Sequence, residues 1–269
     1  MSIPATPPRA PFPWLMRAGQ LWFLTACAGQ FAFIWFILAH YWRLTLAGNY
    51  AGWNDKPLIK GYVAGDSAGN AMFAAHVLLA AVMTLGGLLQ LWPELRKRWP
   101  ALHRWNGRLF VALAVALALG GLWLVWVRRT WLSMPATIPI TLNALLILAF
   151  SALAVGHARA RRLAEHRRWA LRLFMVANGV WFLRVAMMAW VILGGRSTLS
   201  QDMSGPVDLA LQFGCYLIPL AVLELYFRAQ EHGSASRQRR VALLVMAMTA
   251  IMAVGIAGTV AFMWGPYMI

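Results

Sequence analysis

Three ionisable side chains lie inside apolar segments of this 269-residue sequence, in what we predict to be one half of a membrane: His40, His76 and Arg184. Charged and titratable groups are costly in hydrocarbon and usually serve a function there. An arginine at such a depth needs an anion. We expect it to contact Asp208, an anionic ligand such as a haem propionate, or backbone carbonyls.

Histidines near both ends of a helical bundle are what a protein with two b-type haems needs, because each low-spin iron takes two imidazoles from facing helices. The outer pair would be His40 and His76, and the inner pair would come from His103, His157 and His166. The first hypothesis is therefore an inner-membrane redox protein that binds haem b through His40, His76, His103 and His166.

A second hypothesis starts from a stripe along one helical face. At about 100° per residue, His76, Ala80, Met83, Gly87 and Gln90 share that face and could line a cavity. His76, Gln90 and Arg184 would then bind or transport an anionic or amphipathic small molecule without redox chemistry. A third hypothesis is an accessory or assembly subunit of a respiratory complex. The sequence contains no zinc-binding or nucleotide-binding motif.

The composition places these residues in a membrane. Hydrophobic residues make up 61% of the chain, charged residues make up 12%, and the mean hydropathy is +0.62. A helix needs about 20 mostly apolar residues to cross the hydrocarbon layer. The segments that qualify are roughly 18–41, 71–92, 108–127, 135–156, 169–194, 207–227 and 241–264. The fold class is thus all-α, a polytopic membrane protein with seven spans in a single domain, 1–269.

The basic residues predict the orientation. Lys and Arg total 24 against 8 acidic residues, so the net charge is +16. The segments between spans lie alternately on the two sides of the membrane. Those on the same side as the N-terminal segment 1–17 hold 17 basic residues, and those on the other side hold 6. The positive-inside rule therefore places the N-terminus in the cytoplasm, and the 42–70 loop and the C-terminus in the periplasm of a bacterial inner membrane. The charge reflects topology, so nucleic acid is not an expected partner and the lipid bilayer is.

A weak repeat organises the core. His103-Arg104-Trp105 precedes span 3, and His166-Arg167-Arg168-Trp169 precedes span 5; each is followed by Arg, Leu and Phe. Spans 2–3 and 4–5 would then be two parallel-repeated hairpins that form a four-helix core, flanked by spans 1, 6 and 7. Glu224, near the inner end of span 6, is expected to pair with an arginine of either motif.

Together these residues resemble a known pattern: His76, then Gly86-Gly87-Leu88-Leu89-Gln90, then Leu95-Arg96 and His103-Arg104-Trp105-Asn106-Gly107-Arg108, and finally His166-Arg167-Arg168-Trp169-Ala170-Leu171-Arg172 with Leu183-Arg184. The chain resembles the bacterial membrane proteins grouped as domain of unknown function 2306 over about 70–190. Phe110 and Leu171 replace the usual Tyr and Met of that pattern, and Arg161-Arg162-Leu163 replaces an RGD-like turn.

The resemblance implies a ranked set of site residues: His76, Gln90, Arg96, His103, Arg104, His166, Arg167, Arg172 and Arg184. The layout is also similar to that of cytochrome b561-like four-helix diheme proteins. That similarity favours haem b as the cofactor and, as partners, a quinone or a respiratory complex.

Overall fold

The computed structural model describes residues 13–56, 60–130 and 133–268, and every regular element in them is helical. The predicted N-terminal segment 1–17 lies outside the described residues as far as residue 12. The α-helices are α1 (Pro13–Phe36), α2 (Arg43–Leu46), α3 (Ser67–Leu91), α4 (Pro93–Arg98), α5 (Pro100–Trp126), α6 (Thr137–Arg159), α7 (Leu163–Ala177), α8 (Gly179–Ile192), α9 (Pro206–His232) and α10 (Ala235–Gly258). A π-helical turn, Ile37–Trp42, joins α1 to α2, and a second one, Thr259–Trp264, continues α10.

Six helical segments are long and apolar enough to cross a membrane, and a seventh span arises if α7 and α8 count as one. The chain is therefore an all-helical, polytopic membrane protein, as predicted. We call the side of the bundle that carries the 42–70 loop the loop side, and the opposite side, where α7 begins, the basic side. The predicted bounds were too short for α5, which begins at Pro100, so His103 and Arg104 lie within its first turns.

The predicted span 169–194 is not one straight helix. It is broken at Asn178, where α7 and α8 meet with a bend of 55°. The Asn178 side chain donates to the carbonyl of Phe174 and so competes with the helical ladder. Gly179 follows, and a Cβ there would lie 2.8 Å from the Asn143 amide nitrogen of α6. Because of the break, the 18-residue spacing of His166 and Arg184 does not place the two residues on a common helical face.

Small and amide residues hold the first predicted hairpin together. Asn106 of α5 donates to the Gly86 carbonyl of α3 at 2.8 Å, and Gln90 donates to the His103 carbonyl at 2.9 Å. Gly87 is in contact with the Phe110 ring, which a Cβ would approach to 3.0 Å. Much of the predicted family motif thus packs α3 against α5, and the Gly87–Gln90 end of the predicted cavity stripe is filled by helix contacts.

The second hairpin and the flanking helices use other contacts. Nδ1 of His166 lies 2.9 Å from the Ala154 carbonyl and links α7 to α6. In the flanking group, Trp181 of α8 donates to the Gly29 carbonyl of α1 at 3.3 Å. Gly255 of α10 meets the Val185 carbonyl of α8 so closely that a Cβ would clash. Spans 1 and 7 therefore pack on α8 as well as on each other.

Glutamates of α9 pair with arginines of α7 on the basic side. Arg172 makes a bidentate ion pair with Glu224, with distances of 2.6 and 3.0 Å, and stacks 4.4 Å from the Trp169 ring. The expected pairing of Glu224 with a motif arginine is thus confirmed. A second ion pair, between Arg168 and Glu231 at 2.7 Å, is more exposed.

Glu224→Gln should destabilise the protein by about 1–3 kcal/mol, because it leaves a half-buried guanidinium with a weaker partner. Glu231→Gln is the matched control, since an exposed pair between the same helices contributes about 0–1 kcal/mol. Thermal unfolding of the two variants in detergent measures the difference, and equal losses would contradict it.

Candidate functional site

The π-helical turn Ile37–Trp42 turns His40 into an aromatic cluster on the loop side. The ring centroids of Phe36, Tyr41 and Tyr267 lie 5.9, 4.7 and 5.2 Å from that of His40. Only 3% of the residue is exposed, and Nε2 is buried without a hydrogen-bond partner. Single π turns inside helices are frequent at functional sites.

The second π turn lies against the first. Trp264 is fully buried and stacks on Phe36 with centroids 5.9 Å apart and ring planes 11° apart. The loop adds Lys56, whose Nζ donates to the Met263 carbonyl at 3.1 Å and lies 4.2 Å from the Phe36 ring centroid. The two π turns and the loop thus meet at one aromatic floor.

Burial, together with the positive charge of Arg184, lowers the pKa of Lys56 to about 7. Its charge also interacts with that of His40, and Asp55 is the acidic group beside them. Lys56 therefore changes charge near neutral pH, on the rim of the membrane interior.

Arg184 lies at the centre of these interactions. Its guanidinium is 5.6 Å from the Phe33 ring centroid and interacts electrostatically with Lys56, Tyr41 and His76. Its one hydrogen bond among the described residues runs from Nη1 to the Val180 carbonyl at 3.1 Å. We call Arg184, Lys56, His76 and Tyr41 the Arg184 cluster.

No carboxylate lies within ion-pair distance of Arg184 or Lys56 in the described ranges, which include all eight acidic residues. Asp208, one of the partners we expected, instead accepts hydrogen bonds from the backbone and hydroxyl of Ser200 at 2.9 and 2.8 Å. Of the candidate partners named from the sequence, the structure thus gives Arg184 a backbone carbonyl.

Further polar side chains in the bundle have unpartnered buried atoms, among them those of His76, Gln30 and Asn143. Nδ1 of His76 has no hydrogen-bond partner, and its ring packs on Gly121, where a Cβ would lie 3.3 Å from Cε1. Gln30 is fully buried with neither amide atom bonded, and Oδ1 of Asn143 is also unpartnered. Such groups cost free energy in an apolar interior unless a ligand or water satisfies them.

An ion pair fixes the loop over this region. Arg128, at the end of α5, contacts Asp66 at 2.8 Å, Asn70 at 2.8 Å and the Gly61 carbonyl at 3.1 Å. Hydrogen bonds from Arg128 and the Gly69 amide lower the pKa of Asp66. Because Gly61 comes soon after Lys56, the pair anchors the loop that supplies Lys56.

The predicted inner residues form a separate group on the basic side. His103 lies near enough to His166, Arg96 and Arg104 for their charges to interact, and its buried Nδ1 has no partner. Arg104 and Arg167 are exposed. Within the described part of the chain, no three His, Cys, Asp or Glu side chains are grouped as they would be to bind a metal ion.

Sequence reasoning found His40, His76 and Arg184 but missed Lys56, Tyr41 and Gln30. Gln30 is a polar residue in a long apolar segment, so it could have been singled out on the same grounds as His76. Nothing in the sequence pointed to Lys56, because only the fold brings the loop to Arg184.

Comparison with known proteins agrees with the resemblance in the motifs. The family described as Predicted membrane protein (DUF2306) matches residues 73–227, more than half of the chain. The chain belongs to this family. No curated protein and no solved structure matches it.

The region matched to DUF2306 runs from α3 into α9. It contains His76, His103, His166 and Arg184, whereas His40 and Lys56 lie before it. The Arg184 cluster thus combines two residues of the DUF2306 region with Tyr41 and Lys56 from the preceding segment.

Proposed function

We propose that this DUF2306 protein binds a small anion, or the anionic group of a small amphipathic molecule, at the Arg184 cluster. The observation that carries the proposal is a membrane-embedded arginine that none of the eight Asp and Glu side chains, all of them within the described ranges, neutralises. Arg184 uses one hydrogen bond where a guanidinium has five N–H donors.

The surroundings favour the same chemistry. Lys56 adds a second cation and Tyr41 a hydroxyl, and both interact with the Arg184 charge. Two like charges held near each other in an apolar region repel, so an anion between them would relieve the repulsion as well as satisfy donors. His76 supplies an imidazole on the α3 side.

Replacing Arg184 should weaken anion binding. With methanesulfonate as the probe and calorimetry on the purified protein, we expect Arg184→Gln to weaken binding by about tenfold or more, since hydrogen bonds to charged groups contribute about 1.5–3 kcal/mol. Arg184→Lys should retain part of the affinity. Arg196→Gln, an exposed arginine on the same side, is the control. Unchanged binding by Arg184→Gln would overturn the proposal.

Binding should also depend on pH through Lys56. Its lowered pKa of about 7 means that Lys56 is charged below pH 7 and neutral above it. Methanesulfonate keeps its charge throughout, so its affinity should fall as pH rises from 6 to 8. Lys56→Arg should hold the high affinity at pH 8, and Lys56→Gln should give low affinity at both. A pH dependence that persists in both variants would assign it to another group.

A second candidate, haem-linked electron transfer, is favoured by His103 and His166. The Nδ1 contact of His166 with the Ala154 carbonyl fixes its ring and leaves Nε2 free for a metal, a common arrangement of haem and metal ligands. Arg96 and Arg104 near His103 would suit haem propionates. His103 and His166 would then hold haem b on the basic side, and His40 with His76 would hold a second haem. Bound haem would supply one-electron chemistry.

This candidate predicts a Soret band in protein purified from haem-replete cells. His103→Ala and His166→Ala should each reduce that absorption, as should His76→Ala for a second haem. His232→Ala, in an exposed position, should leave it unchanged. A colourless wild-type protein would exclude the redox proposal and would leave the anion-binding proposal unaffected.

We infer that the basic side faces the cytoplasm of a bacterial inner membrane, because most arginines lie there. The Arg184 cluster would then open toward the periplasm. Single cysteines in a background that lacks Cys27 and Cys215 test this: a cysteine at Ser236 should be protected from a membrane-impermeant thiol reagent in intact cells, and one at Ser197 should react. The reverse pattern would invert the topology.

A further inference from the structure

A cavity of about 850 Å³ lies between α1, α7, α8, α9 and α10, and no residue of the Arg184 cluster lines it. Its walls are mostly apolar, with Phe23, Leu223 and Met252 among them, and no histidine lines it. The volume falls within the range of small-molecule sites. Neither the anion-binding site nor the haem candidate makes use of it.

Two irregularities in the helices create this space. Met175 and Phe182 line the cavity on either side of the 55° bend at Asn178. Opposite them, α9 carries Pro219 in its interior and Gly214 five residues earlier, and both residues also line the cavity. A bent helix and a proline-containing helix cannot stay in contact along their full lengths, so a gap remains between them.

The cavity opens sideways, toward the region that lipid chains occupy around the protein. Leu24, Ile218 and Ile251 line it and are at the same time 65%, 50% and 44% exposed. A lipophilic molecule could therefore enter from the bilayer without crossing the polar surface.

The end of the cavity on the basic side is polar. Gln20, Glu94, Arg167 and Gln230 line it there, and the Arg167 charge interacts with Tyr226. Neither Glu94 nor Arg167 makes an ion pair within the ranges that the structure describes. This polar end, which we call the mouth, therefore offers hydrogen-bond donors. The opposite charges of Glu94 and Arg167 balance there.

We propose that this cavity binds a long-chain amphiphile with an uncharged, hydrogen-bond-accepting head, the chemistry of an isoprenoid quinone. The tail would lie among the apolar side chains, and the head carbonyls would accept from Arg167, Gln20 and Gln230. Glu94 disfavours a phosphate head, because a second negative charge at the mouth would be repelled. The site is separate from the Arg184 cluster, so its failure would leave that proposal standing.

The test uses a benzoquinone with a ten-carbon tail, added to the full-length protein in detergent, with binding measured by native mass spectrometry. Ala186 is a partly buried alanine on the cavity wall, and Ala186→Trp should fill the space and weaken binding at least about tenfold. Ala221→Trp is the matched control, since Ala221 is exposed and outside the cavity. It should bind as the wild type does.

A change at the mouth covers the case in which Ala186→Trp does not fold. Arg167→Ala should weaken quinone binding at least about tenfold, whereas Arg159→Ala, exposed on the same side but away from the cavity, should not. Failure of the wild type to bind the quinone, equal binding by the Ala186→Trp variant, or displacement of the quinone by phosphatidylglycerol would each overturn the proposal.

Discussion

The hydrocarbon layer provides no water to a polar side chain, and Arg184 is the residue on which this constraint falls hardest. A guanidinium retains its charge at all physiological pH values, so it must find an anion, carbonyls or water where it stands. The chain gives it the Val180 carbonyl and the face of Phe33. The π turns, the aromatic floor and the anchored loop lie around this guanidinium, most of whose N–H donors have no partner.

The two sides of the bundle treat charge differently. On the basic side, Arg172 has a bidentate glutamate and a tryptophan face, so the pair is complete within the chain and holds α7 to α9. On the loop side, the acidic residues serve the backbone and loop: Asp66 fixes Arg128, and Asp208 holds Ser200. Ion pairs within the chain thus fix helices and the loop, whereas Arg184 and Lys56 have no carboxylate partner among the described residues.

His76 and Arg184 could be predicted from the sequence because each is a polar residue inside an apolar segment. The break in span 5 could also have been predicted, because Asn178-Gly179 is typical of a turn. The long apolar segment around it instead led to the prediction of one continuous helix. The π turns were not readable. Phe36, just before the first turn, stacks on Trp264 at the end of the second, a contact between distant parts of the chain that no local pattern encodes. Lys56 lies over the same Phe36 ring.

Each π turn contains more residues than an α-helical turn would. In Ile37–Trp42 the surplus sets the angular position of everything that follows, because one residue corresponds to about 100° of rotation along a helix. Deleting a single residue there would restore an ordinary helical repeat and swing Arg43 and the start of the loop to another side of the bundle. The position of Lys56 over the Phe36 ring is therefore governed by residue count as much as by residue type, and length variants in this turn would act as changes of register.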